Sequence, residues 1–491
     1  MPAKLDGTAP ASTGVPPAPL PGTLAPPEAL SKRSFYLGTL ALAALALVMG
    51  LVRLTRNDVW FDEAASLFFA RQRGLDFFRV LLREDTHGPF YYGLLKVWTL
   101  AFGEGDWISR LPSVLCAACS VFTVAHLGAR LVGRAVGLFT GLMVALSPAH
   151  IYYAQEIRFY SFIAWMASLH VLCFVHLVDP SPRTSRWPWW GFAATGTACL
   201  LTFYLSGLLL VSELLCAILL WNRIDRKRIL AAFAAASVLP AAWLPALIWQ
   251  VRNTSGTIKW IASQPTGKFI KYVCTCFTTG KSATWFASRV EEALMVAVLA
   301  ASVHIVRRQV RTRWILLCWF FLPLVAVLTI SLRRPLYHQR YLLMILPAFF
   351  MLAAAGIWQV RWWMIRLPMM GAVIVALVLA DARYYADFKH GERWGDAAAY
   401  IRHEAIATET VVAIPVHEVA ILAYHLPGFR HLRGADWGAE INRLLIHGQR
   451  LWVLAHGEQW KFVYPTITPN AMKVDSRTFG SLELRCLLLV R

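Results

Sequence analysis

The stretch PFYYGLLKVWTLAFG, residues 89–103, decides how this chain is threaded. It is apolar and aromatic, yet it carries Lys96 and falls short of the ~20 residues a helix needs to cross a bilayer. Counted as a span, it would move every later loop to the other side of a membrane. Laid in the interface, it leaves them where the rest of the pattern wants them.

That pattern is set by eleven longer apolar runs, at about 34–52, 110–130, 135–150, 159–178, 189–204, 205–221, 229–250, 290–306, 314–331, 341–358 and 367–385. Cytoplasmic loops concentrate Lys and Arg. With 89–103 kept out of the count, Arg130/Arg134, Arg183/Arg186, Arg223/Arg226/Lys227/Arg228, Arg307/Arg308/Arg311/Arg313 and Arg361/Arg366 all fall on the side of Lys32/Arg33, which is then the cytoplasm. The outer side receives the loop 53–109, the turn 150–158, the loop 251–289, the segment 332–340 and the tail from about 386.

Composition points the same way. Hydrophobic residues make up 57% of the 491 and charged ones only 15%, with 21 Trp, more apolar surface than a soluble core absorbs. The expected fold class is a polytopic α-helical membrane protein of about eleven spans. A formal charge of +20 from 48 Lys and Arg against 28 Asp and Glu sits in clusters between apolar runs, a topological pattern that excludes nucleic acid as partner. Nine scattered Cys imply packing rather than a disulfide framework or a zinc site.

Residues 1–31, rich in Pro, Ala, Gly and Thr, cannot bury enough surface to fold and are expected to be a disordered cytoplasmic tail. The first apolar run lies too far in and is too long for a signal peptide. A membrane unit is expected over 32–385, with interfacial helices in the 53–109 loop. Beyond it, WGDAAAYIRHEA predicts an amphipathic helix and VVAIPV, RLWVLAH and LELRCLLLV predict short strands, so 386–491 is expected to form a small extracytoplasmic α/β domain. The chain has no P-loop, no dinucleotide fingerprint and no visible internal repeat.

Acidic residues are scarce, which makes NDVWFDEAASLFFA, residues 57–70, conspicuous for its adjacent Asp62 and Glu63. The bland reading is a pair of early-helix carboxylates favoured by the macrodipole. The same outer surface receives His87 in EDTHGPFYY, Glu156, Arg158 and Tyr160 in SPAHIYYAQEIRFY, and His338, Arg340 and Tyr341 in RRPLYHQRYLLMILP. Each has its own ordinary explanation: a packed imidazole, a solvated Glu/Arg pair, a basic span end snorkelling to headgroups.

In order along the chain, WFDEAAS (60–66), THGPFYY (86–92), RLPSVL (110–115), SPAHIYYAQEIRFYS (147–161) and HQRYLLMILP (338–347) resemble the membrane-embedded GT-C glycosyltransferases related to protein O-mannosyltransferases and lipid A aminoarabinose transferases. The resemblance implies a multi-pass protein of the plasma (inner) membrane with a cytoplasmic N-terminus. It implies a polyprenyl-phosphate-linked sugar as donor and a lipid, glycan or protein acceptor, joined outside the membrane with inversion at the sugar carbon. Such a reaction needs a base, and a carboxylate in a semi-apolar loop, where burial favours proton uptake, suits the role. Asp62 is assigned it, with Glu63 as a helper that keeps the loop in register and Glu156 as a partner that orients the acceptor.

The leaving phosphate gains charge that fixed cations and hydroxyls stabilise best where water is thin. His87, Arg158, Tyr160, His338, Arg340 and Tyr341 are the candidate substrate-binding residues. No cofactor is fixed by the sequence; Mg²⁺ or Mn²⁺ on Asp62 and Glu156 stays open. Two departures stand out. Relatives often carry Pro-Pro where this chain has Gly88-Pro89, which predicts a looser turn, and Thr-His-Tyr where it has Thr202, Phe203 and Tyr204. A transporter or lipid flippase is the alternative, supported by Glu213 inside an apolar run.

Overall fold

The structure, a computed structural model, describes residues 30–179, 186–253, 269–278, 280, 285–305, 310–333, 338–386, 392–406, 408–414, 419–432, 437–456, 460, 467 and 471–489. Nearly all of the tail expected at 1–31 lies outside them. Among the described residues, sixteen α-helices lie between Lys32 and Ala386: α1 (Lys32–Leu51), α2 (Phe61–Arg71), α3 (Gly74–Glu84), α4 (Phe90–Phe102), α5 (Asp106–Leu131), α6 (Arg134–Ala145), α7 (Pro148–Ala154), α8 (Tyr160–Leu177), α9 (Trp187–Leu200), α10 (Gly207–Leu219), α11 (Arg226–Asn253), α12 (Phe269–Thr278), α13 (Trp285–Ile305), α14 (Val310–Ser331), α15 (Leu346–Trp358) and α16 (Trp363–Ala386).

Among the described residues, seven helices are long and apolar enough to cross a membrane: α1, α5, α8, α11, α14, α15 with its 3₁₀ lead from Arg340, and α16. The pair α6–α7 makes an eighth if its 59° bend is one broken span. The remaining runs of the expected eleven do form helices. However, α9 is too short for a span, Tyr204–Leu219 is only a shorter apolar helix, and α13 opens with Arg289, Glu291 and Glu292. The bend between α6 and α7 falls at Pro148, whose ring removes a backbone donor and starts a new helix.

The stretch 89–103 forms α4, whose 13 residues reach roughly 20 Å at 1.5 Å per residue. Its Lys96 ammonium donates to the Gln72 carbonyl just past the end of α2. The segment after Asp62 forms two helices, α2 and α3, separated at Gln72 and Arg73, where the backbone is extended.

Past α16 come α17 (Trp394–Glu404), β1 (Thr410–Ile414), α18 (Val419–His425), β2 (Arg430–His431), α19 (Trp437–Ile446), β3 (Leu451–His456), β4 (Ala471–Phe479) and β5 (Leu482–Leu489). The sheet runs β2-β1-β3-β5-β4, with β1 parallel to both neighbours and β5 antiparallel to both of its own. Alternation along the strands divides its residues between two cores. Val411, Ala413, Trp452, Leu454, Leu484 and Cys486 join the hydrophobic cluster that also contains the membrane helices, whereas Val412, Ile414, Leu451, Val453 and Leu487 pack with Leu444 and Leu445 of α19.

The placement of this sheet outside the cell is testable at β4. Lys473 is exposed there, whereas the Asp475 carboxylate accepts from the Tyr400 hydroxyl, and native Cys486 is buried. Lys473→Cys is expected to react with an impermeant maleimide in intact cells; labelling only after lysis would invert the orientation.

Candidate functional site

The outer loop is organised around a buried ion pair. Arg110, 1% exposed near the start of α5, donates from Nε and Nη2 to the two oxygens of Glu63 at 2.8 and 2.7 Å. Its other N–H groups donate to the carbonyls of Leu54, Asn57 and Asp58 at 2.9, 3.0 and 3.3 Å. Glu63 Oε1 also accepts the Ile157 N–H at 2.9 Å, so one carboxylate joins α2, α5 and the turn between α7 and α8. Glu63 therefore has its oxygens committed to the fold and stands as a positioning residue.

One position earlier on α2, Asp62 is partly buried and faces a cluster of cationic and aromatic side chains. Its Oδ2 accepts from Arg340 Nη1 at 2.8 Å and lies 3.9 Å from Arg158 Nε. Arg158 is held in turn by the Ser66 hydroxyl and the Tyr92 hydroxyl, each 3.2 Å from Nη1, and lies over the rings of Phe159 and Tyr160. Arg340 lies over Tyr160 and Tyr341 at 5.7 and 5.6 Å, close enough for cation–π attraction. Six of the expected residues, Asp62, Arg158, Tyr160, His338, Arg340 and Tyr341, thus converge. Asp62 is not an isolated carboxylate in an apolar loop; it faces two guanidinium groups.

His338 precedes the 3₁₀ turn Gln339–Ile345 and accepts the Arg340 N–H through Nδ1 at 3.4 Å. Burial, and then the neighbouring Arg340 charge, push its imidazole down to about 4, so it is neutral at pH 7 and offers no cation to a phosphate.

His87 packs on an aromatic floor, 4.7 Å from Phe159 and 6.1 Å from Phe203, whose ring in turn meets Tyr341 at 5.6 Å. Nδ1–H donates to Asp85 at 2.8 Å, fixing the ring. The turn is tight, not loose. Gly88 and Phe90 donate N–H bonds to the carbonyls of Thr202 and Leu201, and a Cβ on Gly88 would lie 2.0 Å from the Leu201 oxygen. Gln250, buried on α11, donates from its amide to the carbonyls of Leu81, Asp85 and His87 at 3.1 to 3.3 Å and accepts from Tyr204.

Glu156 is buried beside this cluster, its carbonyl accepting the Ser113 hydroxyl at 2.5 Å, and it lies within electrostatic range of His338. The pair Asp62 and Glu156 does not gain a third ligand: among the described residues no group of three His, Cys, Asp or Glu side chains is placed to hold a metal. With Arg340 already on Asp62 Oδ2, these residues do not form a donor set for Mg²⁺ or Mn²⁺, and no step is routed through one.

Several members of the site carry no separate signal in the sequence. Arg110 stands within RLPSVL as the single cation entering an apolar run, and Gln250 as the lone amide ending another. Asp85, Ser66 and Tyr92 act only through partners that the fold supplies.

Two consequences can be measured. Glu63→Gln leaves the Arg110 guanidinium buried without its counter-charge, so the variant is expected to lose about 3–5 kcal/mol of stability, read as a lowered melting temperature in detergent. Asp85 is subject to a burial effect that would raise its carboxyl, but the adjacent His87 and then Arg158 outweigh it and hold it well below its ordinary range. A depressed carboxyl contributes stability above its unfolded pKa and loses it as pH falls through the folded value. The melting-temperature gap between wild type and Asp85→Asn is therefore expected to shrink as pH falls below about 4.

Residues 86–249 match the family described as dolichyl-phosphate-mannose-protein mannosyltransferase. No curated protein matches the chain by sequence. Among solved structures, the chain is similar to ArnT from Cupriavidus metallidurans bound to undecaprenyl phosphate, at 14% identity and a TM-score of 0.63 over 91% of this chain and 97% of that one. It is also similar to the archaeal oligosaccharyltransferase AglB from Archaeoglobus fulgidus in complex with an inhibitory peptide and a dolichol-phosphate, at 10% identity and a TM-score of 0.57 over 89% and 71%. The arabinofuranosyltransferase AftD from Mycobacteria aligns at 15% identity and a TM-score of 0.51, over 94% of this chain and 42% of that one. The chain thus has the fold of ArnT and of AglB, and about a third of its length matches the mannosyltransferase family.

Proposed function

We propose that the chain transfers a sugar from a polyprenyl-phosphate donor to an acceptor hydroxyl at the extracytoplasmic surface, with inversion. The observation that carries this reading is the shared oxygen of Asp62, 2.8 Å from Arg340 and 3.9 Å from Arg158, beside the rings of Tyr160 and Tyr341. A lipid phosphate at the headgroup level meets both guanidinium groups there, and a planar fork of donors suits phosphate oxygens. Phosphate binding draws Arg340 from Asp62 and leaves a carboxylate oxygen for the acceptor.

In the transfer, the acceptor oxygen attacks the anomeric carbon while the bond from that carbon to the phosphate oxygen breaks. The electron pair leaves with the polyprenyl phosphate, whose growing charge Arg340 and Arg158 stabilise. The acceptor proton passes to Asp62. Undecaprenyl phosphate in the ArnT structure and dolichol-phosphate in that of AglB support the donor class.

The transporter alternative rests on Glu213. In the structure its Oε2 lies 2.8 Å from His170 Nε2, and His170 Nδ1 meets the Thr195 hydroxyl at 2.9 Å. The acid thus pins α10 to α8 and α9, a sufficient reason for a polar group inside the membrane.

Purified protein offered a panel of labelled polyprenyl-phosphate sugars with membrane extract is expected to move one label. Asp62→Asn should lower that transfer at least ~10²-fold with folding intact. Arg340→Ala should remove most of it, and Arg340→Lys part, on short-chain and full-length donors alike. Near-normal turnover by Asp62→Asn would exclude it as the base.

A further inference from the structure

The residues leading into α2 are held from two sides. From within, Arg110 takes the carbonyls of Leu54, Asn57 and Asp58. From without, the segment beyond α16 takes the next two groups. The Asp58 carboxylate accepts the Gly395 N–H of α17 at 2.9 Å, and the carbonyl of fully buried Val59 accepts from His425 Nε2, at the end of α18, at 2.8 Å. Close by, the Tyr424 hydroxyl donates to Asp106, and the Arg71 guanidinium of α2 lies over the Tyr424 ring at 5.8 Å. The fit at Gly395 is close: a Cβ there would stand 2.7 Å from Asp58 Oδ1.

We propose that α17 and α18 of the C-terminal segment are a working part of the site, setting the position of Asp62 through His425 and Gly395; the inference rests on the transferase reading for its consequence but not for its geometry. Only Trp60 separates the held Val59 from Phe61, where α2 begins, and Asp62 is in the first turn. A short helix whose entry is fixed on both sides turns with that entry as one body. Loosening the outer grip therefore displaces the carboxylate relative to Arg340 without touching Arg340, His87 or the aromatic floor. His425 acts as a donor through Nε2–H and is a positioning residue.

The conservative variant separates this from a general effect on folding. Gln places an amide N–H near where the imidazole Nε2–H stood; Ala places nothing. His425→Ala is expected to lower kcat roughly tenfold, short of the ~10²-fold that a 1 Å misplacement can cost, with KM for the donor little changed, and His425→Gln to restore most of it. In parallel, hydrogen–deuterium exchange over residues 58–66 is expected to rise in His425→Ala and return in His425→Gln, at unchanged melting temperature. Exchange in His425→Ala equal to wild type, or Gln failing to restore it, would overturn the proposal.

If His425→Ala does not fold, Asp58→Ala and its rescue Asp58→Asn, whose amide oxygen still accepts from Gly395, decide the same question. Exchange needs no donor. A wild type that transfers no sugar, yet loosens at 58–66 when His425 is removed, would refute the transferase reading and leave the coupling standing.

Discussion

The buried pair of Arg110 and Glu63 is the constraint on which the candidate site depends. Taking two charges out of water costs several kcal/mol per ion, and their attraction offsets this only when the remaining donors are also satisfied. Here they are: the five N–H groups of Arg110 meet two carboxylate oxygens and three carbonyls. Lys has no planar fork and could not serve these five directions at once. Because the acceptors come from the loop 54–58 and from α2, the pair converts an irregular crossing into a fixed approach to Asp62.

Much of the architecture is legible in the order of the residues. Apolar runs of span length find helices, and 89–103 finds one of only 13 residues. The quoted motifs contribute six side chains to one cluster because each sits at or near the end of an apolar run. Span length is less legible: α9 and α10 read as full spans in a hydropathy pattern, which does not register where helical geometry stops.

What stays hidden depends on pairing between distant segments. Arg110 and Gln250 read as isolated polar residues in apolar stretches, and only the fold brings carbonyls to them. Strand β4, largely exposed, shows no alternation of apolar residues, so no periodicity marks it. Gly88 reads as a relaxed substitute for proline, whereas its missing side chain is what lets α4's entry lie against the Leu201 backbone. The break between α2 and α3 likewise lies at Gln72 and Arg73, residues with no helix-stopping chemistry of their own.

The partners in the organising pair are 47 residues apart, with α2, α3 and α4 between them. A ribosome adding about 5–20 residues per second needs on the order of 2–10 s to go from one to the other. During that interval Glu63 is a charge without its counter-charge, and the segment carrying it has no fixed place. Arg110 also enters at the head of a long apolar helix, so its burial coincides with that helix finding its neighbours. Synthesis thus leaves Glu63 without its counter-charge until Arg110 has been added, and Ile157, a further donor to the same carboxylate, is added later still.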